Sequence, residues 1–194
     1  MFTGIVETTG TIITREETVD GLRLTIATDV ASDLDPGASV AISGVCLTAE
    51  TVDTGSFSVF LAEETRDRTY LDDLEVDASV NIERPVPVDG RLDGHIVQGH
   101  VDATTTILER TQLGEDWRYT FALPPVLSSY LVEKGSVAVD GISLTIASLD
   151  DDQFEVAIIP ETRTRTTIGE KHEGDPVHLE IDAIARYVER QLNR

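Results

Sequence analysis

The chain carries one polar cluster twice. Gly44-Val45-Cys46-Leu47-Thr48 and Gly141-Ile142-Ser143-Leu144-Thr145 each set a thiol or hydroxyl two residues before a threonine and close behind a glycine. Glu64-Thr65-Arg66 and Glu161-Thr162-Arg163 follow at matching distances. Hydroxyls on a strand beside glycine place side-chain donors and acceptors next to exposed backbone N–H and C=O groups, which suits the polar edge of a flat heteroaromatic ligand. Two copies imply two similar ligands. Taken singly, Thr48 and Thr145 read first as ordinary strand residues, with the glycines marking turns.

His95 and His100 flank Ile96-Val97-Gln98-Gly99 and invite a metal reading. On a regular strand an odd separation sends the two rings to opposite faces, and no cysteine or third histidine stands nearby, so no metal is expected. His100, beside Gly99, is a residue type that suits ligand binding or proton transfer; a structural histidine is the alternative. Cys46 has no visible base beside it and Ser143 as its counterpart, so it reads as a small pocket-lining residue rather than a nucleophile. The chain has no G-x-x-x-x-G-K-[ST], G-x-S-x-G, C-x-x-C or helix-opening G-x-G-x-x-G, which removes phosphate-loop and thiol-redox chemistry.

The elements that must position these groups are strands. Apolar residues alternate through Leu22, Leu24 and Ile26, through Phe57, Val59 and Leu61, and again through Phe154, Val156 and Ile158, with turn signals such as Asp35-Pro36-Gly37 and Asp89-Gly90 between such runs. Helical turns are predicted around Arg66–Leu74 and Pro124–Glu133. From Asp182, a candidate N-cap, Ile184, Val188 and Leu192 recur every fourth residue with Ala185 and Tyr187 beside them, which predicts a terminal helix whose apolar face needs a partner.

The strands belong to an internal repeat. Ser39 to Tyr70 aligns without a gap on Ser136 to Thr167, with 14 of the 32 positions identical, and Gly4-Ile5-Val6 resembles Gly99-His100-Val101 upstream. A duplicated β module of about 90 residues follows, with the boundary near Pro85–Gly94. Closing each copy into a small barrel would leave no exposed edges.

Composition narrows the partners. The 194 residues hold 36 Asp plus Glu against 15 Lys plus Arg, for a formal net charge of -21, spread along the chain. Such a field disfavours nucleic acid and anionic membranes. It suits high salt, where ions screen the self-repulsion, or simply an acidic mesophile protein. The apolar runs are too short to span a bilayer, and the start MFTGIVETTG lacks the basic and apolar regions of a secretory signal. A cytoplasmic protein is expected. The single cysteine, which can form no internal disulfide, agrees with a reducing compartment.

Six strings in order, MFTGIVE, GASVAISGVCLT, GHIVQGHVD, VAVDGISLT, IPETRTRTT and HLEID, resemble the riboflavin synthase family over residues 1 to about 187. The resemblance implies an all-β fold of two tandem six-stranded antiparallel Greek-key barrels, at 1–90 and 91–181, and a C-terminal helix at 182–194 that packs a homotrimer. It also implies a reaction without cofactor. Two molecules of 6,7-dimethyl-8-ribityllumazine dismutate by transfer of a four-carbon unit, giving riboflavin and 5-amino-6-(D-ribitylamino)uracil. Two similar pockets holding two copies of one substrate face to face would explain the duplication.

Carried over by position, first-barrel substrate contacts fall on Gly4, Ile5, Val6, Cys46, Leu47 and Thr48 and on Phe60, Leu61, Ala62, Glu63, Glu64 and Thr65. Gly99, His100 and Val101 form the matching junction. Second-barrel contacts fall on Lys134, Ser143, Leu144 and Thr145 and on Ile159, Pro160, Glu161, Thr162, Arg163 and Thr164. The resemblance assigns functional sensitivity to Phe2 and a place near the cleft to Asp182. His100 and Ser143 are expected to move protons or position a nucleophile, with Cys46 and Thr48 in the first pocket and Thr145 and Asp182 in the second. Arg66 and Arg163 stand where the family usually has Leu, Thr164 where Glu is common, and Ser43 where Asn is common. A non-catalytic lumazine- or flavin-binding antenna or storage protein is the alternative; it would be expected to degrade one motif, and both are kept here. A reductase-type flavin barrel would need an Arg-x-Tyr-Ser signature, which is absent.

Overall fold

A computed structural model describes residues 1–192 as two closed six-stranded barrels and a terminal helix. The first barrel is built from β1 (Thr8–Glu17), β2 (Gly21–Ala27), β3 (Ser39–Ile42), β4 (Val45–Asp53), β5 (Ser56–Ala62) and β6 (Ser79–Glu83). They close in the order β1-β2-β5-β4-β3-β6, and every pairing is antiparallel. The second uses β7 (Ala103–Leu113), β8 (Asp116–Ala122), β9 (Ser136–Val139), β10 (Ile142–Leu149), β11 (Gln153–Ile158) and β12 (Pro176–Ile181) in the same cyclic order. This is the Greek-key arrangement expected from the resemblance.

The alternation decides which side chains fill each barrel. Leu22, Leu24 and Ile26 face inward with Phe57, Val59 and Leu61 in the first; Tyr119, Phe121, Phe154 and Val156 do so in the second, and all are buried. Each such side chain contributes about 1.5–3 kcal/mol of transfer free energy. The duplication extends to defects: register shifts at Ile12/Thr14 and Ala49/Val52 recur at Ile107/Glu109 and Ile146/Ser148. Each bulge bends its strand and tightens the local twist, which helps so small a barrel close.

The helical turns are shorter than expected. Glu63–Arg68 forms α1 and Tyr70–Asp73 a 3-10 turn, while Pro125–Tyr130 is 3-10 throughout. Its repeat counterpart, Ala31–Asp33, is also a single 3-10 turn. Pro160–Arg165 forms α2, the counterpart of α1. The terminal helix α3 spans Ala183–Leu192, and Asp182 caps it by accepting the Ile184 N–H at 2.9 Å. Ile184, Tyr187, Val188 and Leu192 are exposed on it. The last two residues of the expected 182–194 segment lie outside the described residues.

The barrels meet around an approximate two-fold relation. Gly44 and Gly141, at equivalent hairpins with φ of +83° and +77°, touch backbone to backbone. Phe2, fully buried, forms a small apolar cluster with Ala41, Val97 and Ala138, and Cys46 packs against it. Among the described residues no helix is long and apolar enough to cross a membrane.

Candidate ligand mouths

Two short segments, one before each barrel, build the mouths, and each crosses to the opposite barrel. The Gly4 carbonyl accepts the Ser143 N–H at 2.7 Å, and the Gly99 carbonyl accepts the Cys46 N–H at 2.9 Å. Both glycines have left-handed φ, +76° and +79°. A Cβ on Gly4 would lie 2.6 Å from that of Ser143, and one on Gly99 2.5 Å from that of Cys46. Only glycine combines that φ with so close an approach.

The crossing corrects one expectation. Gly4 and Val6 do not sit with the first barrel: Gly4 lies on Ser143, and Val6 is buried in the second barrel's core, while Ile5 between them faces Leu34 and Ala38 of the first. Val101 packs against the core of the first. The exchange is possible because β1 begins only at Thr8, after the Glu7 N–H has bonded the Ile82 carbonyl, which leaves the residues before it to reach the neighbouring barrel.

The first mouth is a cleft of about 390 Å³ lined by Cys46, Glu64, Thr65, Gly99, His100 and Val101, with Arg68, Asp102 and Arg186 at its rim. Strand alternation puts Cys46, Thr48, Phe60 and Ala62 on the outer wall and turns Leu47 and Leu61 into the barrel core. Of these residues Cys46 lines the cleft. Glu63, Glu64 and Thr65 open α1, and Glu64 and Thr65 line the cleft.

The second mouth repeats this plan. Leu144 is buried, Thr145 is exposed, and Ile159 leads into α2, whose first turn holds Pro160, Glu161 and Thr162. The Thr164 hydroxyl returns to the Pro160 carbonyl at 2.9 Å, and Arg163 stacks over Trp117 at 4.3 Å. Arg66, its counterpart, instead bonds Glu17 and Asp72. The two arginines that stand in place of leucine thus brace their own barrels. Lys134 sits in a left-handed turn, and its exposed Nζ reaches the Ala147 carbonyl at 3.3 Å and Glu133 at 3.7 Å.

The residue that touches Ser143 is His95, not His100. His95 Nδ1 lies 2.7 Å from the Ser143 hydroxyl, and its Nε2 is buried without a partner. Burial lowers the His95 pKa, opposed by the charge of Asp182 nearby. The ring is thus neutral at neutral pH and able to take a proton. His100 is exposed in the first mouth beside Cys46. Within one chain the proton-transfer pair expected from sequence is split between the two mouths. Among the described residues no group of three or more His, Cys, Asp or Glu side chains is placed to hold a metal ion.

Comparison with known proteins agrees with this architecture. The Lumazine binding domain family matches residues 3–85 and again 98–182, one match for each barrel with its preceding segment. Riboflavin synthase of Mycobacterium tuberculosis is 46% identical over 198 residues, covering 99% of this chain and 98% of that one. Riboflavin synthase of Bacillus subtilis is 38% identical over 195 residues, covering 100% and 91%. The chain belongs to the riboflavin synthase family. Among solved structures, that of LumP complexed with riboflavin superposes with a TM-score of 0.87 at 22% identity over 93% of this chain and 99% of that one. LumP complexed with 6,7-dimethyl-8-(1'-D-ribityl) lumazine gives 0.84 at 20%, over 93% and 99%. At those identities the likeness concerns the fold.

Proposed function

We propose that this chain is a transferase that dismutates 6,7-dimethyl-8-ribityllumazine, using its two mouths to bring two molecules together. One molecule gives a four-carbon unit to the other. The products are riboflavin and 5-amino-6-(D-ribitylamino)uracil, and two substrate molecules supply all their atoms. The observation that carries the reading is the preservation of both mouths, each built from a Gly-x-[Cys/Ser]-Leu-Thr strand and a crossing glycine segment. A protein that only stored or displayed one lumazine would need one of them.

The substrate supplies most of the reactivity, since a methyl group on the lumazine ring gives an anion delocalised into the heterocycle. The protein's part is to hold two rings in register, which replaces a bimolecular encounter by a positioned one, and to move protons. Neutral His95 with the Ser143 hydroxyl supports the proton-moving role in the second mouth, where Thr145 and Asp182 line the approach. Cys46 and Thr48 shape the first, with His100 beside them. Lying on separate mouths of one chain, His100 and Ser143 act on one reaction when the first barrel of one chain faces the second barrel of another. The exposed apolar face of α3 supports packing of such an assembly, which we take to be a homotrimer.

The test is incubation of the purified protein with 6,7-dimethyl-8-ribityllumazine and no added cofactor, followed by chromatography. Riboflavin together with the pyrimidine product supports the transferase. Tight lumazine binding without product means an antenna or storage protein.

A further inference from the structure

Each barrel ends on a buried glutamate at the same repeat position, Glu83 closing β6 and Glu180 in β12. Both carboxylates spend their acceptors on the crossing segments. Glu180 Oε1 accepts the Gln98 N–H at 2.7 Å, and Oε2 accepts those of Gly99 and His100 at 2.9 and 3.0 Å. Glu83 Oε1 accepts the Thr3 N–H at 2.6 Å and its hydroxyl at 2.8 Å, while Oε2 accepts the Gly4 N–H at 3.1 Å. A return clasp exists on each side: the Arg84 N–H bonds Glu7 at 2.7 Å, and the Ile181 N–H bonds Asp102 at 3.0 Å.

We propose that Glu180 and Glu83 are positioning residues for the two ligand mouths, each holding, from its own barrel, the backbone segment that completes the mouth of the other. Glu180 belongs to the second barrel, yet the residues it grips, Gly99 and His100, line the first mouth against Cys46. Glu83 belongs to the first barrel and grips Gly4, which lies on Ser143. A carboxylate that accepts two or three N–H bonds fixes the direction of the peptide planes, so the carbonyls and side chains that follow present one geometry to a ligand. The burial accepted to do so is large. It lifts the Glu180 carboxyl to about 7, against the lowering effect of its three backbone donors and with nearby Asp102 adding to the rise. Burial likewise raises Glu83. A group with only a packing role would be more stable as an apolar residue.

The inference rests on the reading that the mouths bind 6,7-dimethyl-8-ribityllumazine, and Cys46, the chain's one cysteine, reports on one mouth alone. In the unsubstituted protein, lumazine is expected to slow alkylation of Cys46 by iodoacetamide. Loss of an acceptor in Glu180→Gln leaves backbone donors unpaired and is expected to weaken first-mouth binding about tenfold or more, so that protection disappears at a concentration that protects the parent. Glu83→Gln is expected to keep Cys46 protected while bound lumazine falls from two equivalents per chain to one. Unchanged protection in a folded Glu180→Gln protein overturns the proposal, as does protection lost equally in both variants. If Glu180→Gln does not fold, Glu83→Gln decides alone: one equivalent with Cys46 protected supports it, and two equivalents contradict it. Absence of protection in the parent removes the pocket assignment itself, and this proposal with it.

Discussion

Asn81 and His178 occupy equivalent positions in the two barrels and make the same two hydrogen bonds across the interface between them. The Asn81 amide donates to the Asp140 carbonyl at 2.9 Å and accepts the Thr167 N–H at 2.8 Å. His178 Nδ1 donates to the Ser43 carbonyl at 2.8 Å, and its Nε2 accepts the Tyr70 N–H at 3.0 Å. Ser43 and Asp140, and Tyr70 and Thr167, are themselves repeat mates. An imidazole thus does the work of a carboxamide, but only as the neutral Nδ1–H tautomer.

That difference makes one half of the interface sensitive to acid. Burial lowers the His178 pKa, opposed by Asp140, while Lys171 lowers it further. A histidine whose folded pKa lies below its ordinary 6.5 contributes stability that is present above that value and lost as pH falls through the folded one. Protonation would also set an N–H against the Tyr70 N–H. His178→Asn restores the carboxamide. Thermal melts should place this variant within about 1 kcal/mol of the parent at pH 7.5 and show the parent losing ground to it as pH falls toward about 5. A gap independent of pH contradicts the assignment.

The contact of Gly44 with Gly141 predicts intolerance to any side chain. A Cβ on Gly44 would stand 2.6 Å from the Gly141 nitrogen, in a backbone conformation at φ +83° that already disfavours one. Gly44→Ala should cost about 3 kcal/mol or more in chemical denaturation. Gly55→Ala, at a hairpin tip with φ +86° and open space around the Cβ, isolates the φ cost and should lose about 1 kcal/mol.

His95 and Ser143 should behave as one unit. If the neutral imbidazole takes the proton that passes through the Ser143 hydroxyl, His95→Gln and Ser143→Ala each slow riboflavin formation about 100-fold. The double variant should be little slower than the slower single one. Effects that multiply independently argue against a shared role.

On α3 the apolar face borders a cleft with Tyr130 and Val132 of the second barrel yet stays largely open to solvent. Ile184, Val188 and Leu192 are 62%, 52% and 80% exposed. Sedimentation of the parent should give three chains per particle, and Ile184→Glu with Val188→Glu should give single chains that still bind lumazine but form riboflavin at least about tenfold more slowly, having lost the facing mouth. A parent that sediments as one chain at full activity contradicts this.

The barrels were legible because duplication places every strand twice, and the alternation of Leu22, Leu24 and Ile26 or of Phe154, Val156 and Ile158 leaves little choice of face. The terminal helix was legible for a similar reason: Asp182 caps a run with one apolar side. The mouths were legible as residue types but not in their wiring. An alignment pairs Gly4 with Gly99 whichever barrel each segment reaches, so the crossing was hidden. His95 and Ser143 are distant in sequence, and only the fold brings them together. Glu83 and Glu180 did carry a signal: both are glutamates at the offset of the repeat, just beyond the stretch whose identities were most obvious. Arg66 and Arg163 look alike in sequence, yet one pairs with carboxylates and the other lies over Trp117, because only the second barrel has an indole there.

The proposed dismutation requires that two lumazine molecules meet on this protein and exchange a four-carbon unit. The most direct measurement follows both substrate loss and riboflavin gain with purified protein, in low and in high salt, without added cofactor. One riboflavin per two lumazines consumed, with an equal amount of the pyrimidine, is the predicted result. Riboflavin formed one for one with lumazine, or no riboflavin in either salt while lumazine is bound, would contradict it.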